Sequence, residues 1–112
     1  MSDKITVTGD IRKFLEYVLV PQHRTGKDKI FINQLGYRPH NLADATELLA
    51  LYIEQAEIKF AQGDYLWHEA DKYGQRFTIE IEVRGRVLLT GWILDNAGNL
   101  KLATPFTGFK EV

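Results

Sequence analysis

The stretch Phe77-Thr78-Ile79-Glu80-Ile81-Glu82-Val83 decides the fold. Side chains on a strand point to opposite faces in turn, so this unbroken alternation of apolar and polar residues reads as a half-buried strand. Phe77, Ile79, Ile81 and Val83 then face the core. Glu80 and Glu82 lie on the wet face, which accounts for the pair without assigning it acid/base chemistry. Arg84-Gly85 is a tight-turn signal leading into a strand over 86–94, and Asp95-Asn96-Ala97-Gly98-Asn99 is a turn leading into another over 100–104. An earlier strand at about 65–69 pairs through a turn near 71–74. Four sequential strands joined by short turns predict an antiparallel β-meander in the second half of the chain.

Upstream the apolar period becomes helical. Thr8-Gly9-Asp10 offers N-cap chemistry to a stripe of Ile11, Phe14, Leu15, Val18 and Leu19, and Pro21 ends that helix. Thr25 with Asp28 resembles a capping box for a second, short helix carrying Ile30, Phe31 and Leu35. Gly36 sits where a left-handed C-terminal residue is wanted. Asn41 can cap a third helix with apolar positions Leu42, Ala45, Leu48, Leu49, Tyr52, Ile53 and Ala56. Residues 57–63 fit either the end of that helix or a connection. The expectation is therefore an α+β domain spanning residues 1–112, with about three N-terminal helices packed on a C-terminal antiparallel β-meander of about four strands.

Composition limits the classes of function. A chain of 112 residues has room for one hydrophobic core, and 45% hydrophobic with 26% charged residues is ordinary for a globular domain. The chain has no cysteine, which excludes a disulfide framework, cysteine-ligated zinc and thiol nucleophiles. No run reaches the roughly 18 apolar residues of a membrane span, so the expected location is the cytoplasm, with no membrane partner. Net charge is only −1, but its distribution is uneven. From Arg12 to His40 six Lys/Arg stand against Glu16 and Asp28, a balance of +4, whereas seven acids between Asn41 and Lys72 stand against Lys59 and Lys72, a balance of −5. Such asymmetry permits a local basic face on a neutral molecule, although charge blocks are more often solvated faces.

The densest polar run is His23-Arg24-Thr25-Gly26-Lys27-Asp28-Lys29. It opens a helix, where free N–H groups and the helix dipole favour an anion, and Arg24, Gly26 and Lys27 are the candidate anion-binding residues. His23 adds a group able to move a proton near neutral pH. The competing explanation is a capped surface loop. Gly26-Lys27 resembles the tail of a nucleotide-binding P-loop, but the upstream glycine, the following Ser/Thr and the preceding strand are missing. His23, His40 and His68 have no metal-ligand spacing, so no metal or cofactor is expected. Trp67 and Trp92 read as packing residues, because the interleaved Lys/Arg of a nucleic-acid-binding sheet is absent.

The runs Pro21-Gln22-His23-Arg24-Thr25-Gly26-Lys27-Asp28-Lys29-Ile30-Phe31, Leu35-Gly36-Tyr37, Asp71-Lys72-Tyr73-Gly74-Gln75-Arg76-Phe77, Trp92-Ile93-Leu94-Asp95 and Leu102-Ala103-Thr104 resemble a family of small uncharacterised bacterial domains. Its pattern runs N-P-E-H-P-x-G-x-x-K-A-x-x-F, then Y-G-x-R-Y, then a closing W-I-x … P-R-L-V-T-x-Y. That family is in turn similar in layout to the barnase, EndoU, colicin and RelE group of ribonuclease toxins. The resemblance implies catalytic roles for His23, Lys29 and Thr104, with Arg86 as a further cation. His23 would move the proton of a ribose 2′-hydroxyl, while Lys29 and Arg86 would stabilise the phosphorane. Two departures stand against this: Leu89 where the family has an arginine, for which Arg86 or Arg84 would have to substitute, and Phe106 where it has the closing tyrosine. The isoelectric point near 6.3 is also low for a ribonuclease toxin. Two functions follow as expectations: a metal-independent endoribonuclease of toxin type acting on RNA, or a non-catalytic protein-interaction or accessory, immunity-like domain.

Overall fold

The computed structural model describes residues 5–24 and 26–110. The alternating stretch forms part of β3 (Gln75–Val83), with Phe77, Ile79, Ile81 and Val83 buried. It pairs antiparallel with β4 (Arg86–Leu94) along its whole length, through the register Gln75↔Leu94 to Val83↔Arg86. The two-residue hairpin turn puts Arg84 at φ 47° and Gly85 at φ 83°. Two consecutive left-handed residues make the turn whose twist matches that of the paired strands, and glycine accepts its half of that conformation without steric cost. β5 (Asn99–Phe109) follows antiparallel to β4, and the short β2 (Leu66–Trp67) pairs antiparallel with β3.

The expected arrangement is corrected at both ends. Among the described residues a strand precedes the first helical segment: β1 (Thr6–Thr8) lies parallel to β5, Val7 opposite Leu100. The described residues therefore form a mixed sheet of five strands in the order β1-β5-β4-β3-β2. The helical half is also smaller than expected. Among the described residues only α1 (Leu42–Ala61) is a long helix; the other two are short, wide-turned segments, π1 (Phe14–Val18) and π2 (Lys29–Gln34). In these the closing bonds span five residues, Leu19 N–H to Phe14 O and Leu35 N–H to Ile30 O, both 2.9 Å. Strands dominate the fold, with the long helix in mid-chain. The physical reason is that Thr6-Val7-Thr8 is too short for its alternation to stand out, and the apolar residues over 11–19 satisfy a wide turn as well as an α-helix.

The helical segments cover one face of the sheet. Phe14 of π1 meets Tyr52 of α1 edge-on, with ring centroids 4.9 Å apart, and both are buried with Phe31, Leu48, Ile79, Ile81, Leu88, Trp92 and Leu100. Asn41 caps α1 by accepting the Asp44 N–H at 2.9 Å. Asp44 in turn accepts the Arg38 N–H and guanidinium, both at 2.7 Å, and those bonds hold its carboxyl down to about pKa 2. Tyr52 donates its hydroxyl to Pro105 O at 2.8 Å, and burial pushes that phenol well above the ordinary tyrosine range.

α1 also closes part of a sheet edge. Beyond the two residues paired with β2, no strand among the described residues lies beside the edge of β3. Gln55 fills this place: its Nε2 donates to Glu82 O at 2.7 Å, and its Oε1 accepts the Glu82 N–H at 2.8 Å. Lys59 Nζ donates to Glu80 O one turn further on. Covering an edge in this way removes a template for pairing with another chain.

Candidate functional site

The residues around π2 are arranged by a loop that folds back on itself. Gly26 N–H bonds His23 O at 2.9 Å, and the Asp28 carboxylate accepts the Gln22 N–H across six residues at 2.9 Å. The expected Thr25–Asp28 capping box involves Thr25, which lies outside the described residues. Asp28 itself is buried, and its second oxygen has no hydrogen-bond partner among the described residues. The loop brings His23 and Lys27 to one aromatic ring: His23 packs on Tyr17 with centroids 4.6 Å apart, and Lys27 Nζ lies 5.3 Å from the same ring.

Gly26, Lys27 and Ile30 form one wall of an open groove of ≈ 390 Å³, and Phe106 and Thr107 of β5 form the other. β5 reaches this wall through irregular pairing. Leu89 lies opposite Gly108 and Gly91 opposite Thr104, so β5 uses more residues than β4 over the same length; a second slip follows between Gly91 and Trp92. Such bulges bend a strand and re-aim its side chains, and they recur next to active sites. Here the bulged segment is the one that lines the groove. Thr107 donates its hydroxyl to Leu89 O at 3.2 Å, restoring a bond across the irregular stretch.

The sequence-derived candidates divide into three groups. Gly26 and Lys27 line the groove, His23 shares Tyr17 with Lys27, and Arg24 and Lys29 are exposed on the same short stretch of chain. Arg86 lies at the far end of π2. Its guanidinium stacks 3.9 Å above Phe109 and donates to Gln34 Oε1 at 3.3 Å. A row of ring contacts, Phe109 to Phe106 at 5.0 Å and Phe106 to Phe31 at 6.3 Å, connects that position with the groove. Thr104 lines a different groove, with Lys13, Tyr73, Arg76 and Lys101. Arg84, the other candidate substitute for the missing arginine, is engaged elsewhere. It stacks 3.8 Å above Tyr37, donates to Leu35 O at 2.7 Å and lies 3.9 Å from the Glu47 carboxylate, fastening the hairpin tip to the helical layer. Leu89 lines a small cavity with Thr78 and Glu80.

Sequence reasoning did not find Tyr17, Ile30 or Thr107. Tyr17 has no distinguishing pattern in a helical stripe, and Thr107 enters the groove only because β5 is bulged. Phe106 was visible only as a departure from a family tyrosine; its ring forms part of the groove wall.

Together these features define a small α+β domain whose helical layer and bulged last strand enclose an open, basic and aromatic groove. The chain belongs to the family described as a domain of unknown function (DUF6883), whose model matches residues 2–108. No curated protein and no solved structure matches it. Among the described residues no helix is long and apolar enough to cross a membrane.

Proposed function

We propose that this domain binds single-stranded RNA in the groove between π2 and β5 and cleaves it without a metal ion, as a ribonuclease of toxin type. The observation that carries the reading is the grouping of His23 and Lys27 on Tyr17, with Lys27 and Gly26 facing Phe106 and Thr107 across the groove. Phosphate contacts require cations, and an unstacked base requires an aromatic or apolar wall; single-strand binders combine the two. In the proposed reaction His23 takes the proton of a ribose 2′-hydroxyl as that oxygen attacks the adjacent phosphorus. Lys27, Arg24 and Lys29 offset the charge that develops on the phosphorane. The 5′-oxygen leaves with a proton from water in the open groove, giving a 2′,3′-cyclic phosphate and a 5′-hydroxyl.

Specific observations favour a second reading, a non-catalytic interaction domain. Phe106 offers no phenolic proton, Arg86 is held by Phe109 and Gln34, and Thr104 lines a separate groove. The discriminating experiment incubates total RNA and a defined oligoribonucleotide with the protein in chelator, comparing wild type with His23→Ala and Lys29→Ala. Cyclic-phosphate ends that depend on His23 support the ribonuclease. Intact RNA under every condition removes it and leaves the interaction domain.

A further inference from the structure

Where the segment entering π1 passes β3, β4 and β5 lies a second groove of ≈ 550 Å³, a size that suits a small ligand. Three cations from distant parts of the chain line it: Lys13 from the segment entering π1, Arg76 from β3 and Lys101 from β5. Tyr73, 62% exposed, and the Thr104 hydroxyl share the lining, and Lys72 Nζ lies 5.1 Å from the Tyr73 ring centroid at the rim. The groove also contains one carboxylate, Asp95, which is already committed. It accepts the Ala97 and Asn99 N–H groups at 2.9 and 3.0 Å and pairs with Lys101 at 3.1 Å. Asp71, paired with Arg76, and Asp10, paired with Arg12 and close enough to Lys13 to feel its charge, are the other acids beside these cations. Lys13 makes no salt bridge within the described residues. Arg76 and Lys101 are therefore paired, Lys13 is in no such pair, and an aromatic ring stands next to them.

We infer that this groove is a second binding site, which takes a nucleoside phosphate with its phosphate on Lys13, Arg76, Lys101 and the Thr104 hydroxyl and its base on Tyr73. A phosphate alone needs only charge, whereas the exposed ring adds a surface on which any base can stack. The ligand is either a free nucleotide or one unit of a single strand. The site stands independently of the ribonuclease reading, because it shares no lining residue with the groove at Gly26 and Lys27.

The test titrates uridine 5′-monophosphate, inorganic phosphate and a short oligouridylate into isotopically labelled protein and follows the amides of Lys101, Ala103 and Thr104 by NMR. Uridine monophosphate is expected to shift these amides. Its affinity should fall at least ten-fold in Lys13→Glu, fall with rising salt, and stay unchanged in Lys27→Ala. Tyr73→Ala, on an exposed side chain, should lower affinity for the nucleotide but not for inorganic phosphate. An oligouridylate bound ten-fold tighter than the monomer identifies a strand as the ligand, and equal affinity identifies the free nucleotide; either supports the site. Unmoved amides at millimolar nucleotide, shifts that persist in Lys13→Glu, or inorganic phosphate binding as tightly as the nucleotide would overturn it.

Discussion

Thr90→Val is an almost isosteric change in the middle of the sheet, and its cost follows from two hydrogen bonds. The Thr90 side chain is fully buried; its hydroxyl donates to Ile79 O at 2.7 Å and accepts the Trp92 indole N–H at 2.7 Å. Valine fills the same space and leaves the indole N–H without that acceptor, on a side chain only 1% exposed. An unsatisfied buried donor costs about 1–3 kcal/mol, and the added methyl returns up to about 0.8 kcal/mol. The net loss is therefore about 1–2 kcal/mol, which for a domain of this size lowers Tm by roughly 5–10 °C. Urea unfolding followed by tryptophan fluorescence measures it, and a double-mutant cycle with Trp92→Phe isolates the cause. Phenylalanine has no N–H to strand, so Thr90→Val should cost about half as much or less in that background. An equal cost in both backgrounds, or no cost in the wild type, would refute the reasoning.

Other consequences are independent of this one. Gln55→Ala removes both bonds that close the β3 edge and should cost about 1–2 kcal/mol; faster hydrogen exchange at the Glu82 amide is the expected signature, and unchanged protection would sink the edge-closing role. Asp44 has its carboxyl held at about 2 in the folded protein against an ordinary 3.8. A depressed pKa gives stability that is present above the unfolded value and lost as pH falls through the folded one. The advantage of wild type over Asp44→Asn in urea unfolding should therefore be constant above about pH 5 and shrink between roughly pH 4 and 2. Gly9→Ala would put a methyl 2.7 Å from Leu49 Cδ1 and 3.4 Å from Leu102 Cβ. The clash is with the free end of one side chain, so thermal unfolding should show a loss of at most about 1 kcal/mol, smaller still in a Leu49→Ala background.

What could be read from the sequence depended on how local the signal was. The period of two over 77–83 revealed β3 because one face is buried against helices and the other is wet. Asn41 and the apolar spacing revealed α1, since capping and amphipathicity both act within a few residues. β1 was hidden because its three residues gain their meaning from pairing with β5, more than ninety positions away. The wide turns of π1 and π2 were hidden too, because five-residue hydrogen bonds leave no distinct spacing. The candidate groove was half legible: the run from His23 to Lys29 announced its own chemistry, but the opposing wall depends on a bulge in β5 that no residue pattern marks. Lys13, Arg76 and Lys101 lie far apart in the sequence, and only the sheet brings them to one groove.

The most direct test of the central claim uses a short oligoribonucleotide with 2′-O-methyl groups, which binds but cannot attack its own phosphodiester. Titrated into labelled protein, it should shift the amides of Gly26, Lys27 and Thr107, with the shifts lost in Lys27→Ala and weakened by salt. Shifts absent from both walls of the groove, or confined to other parts of the molecule, would contradict the account.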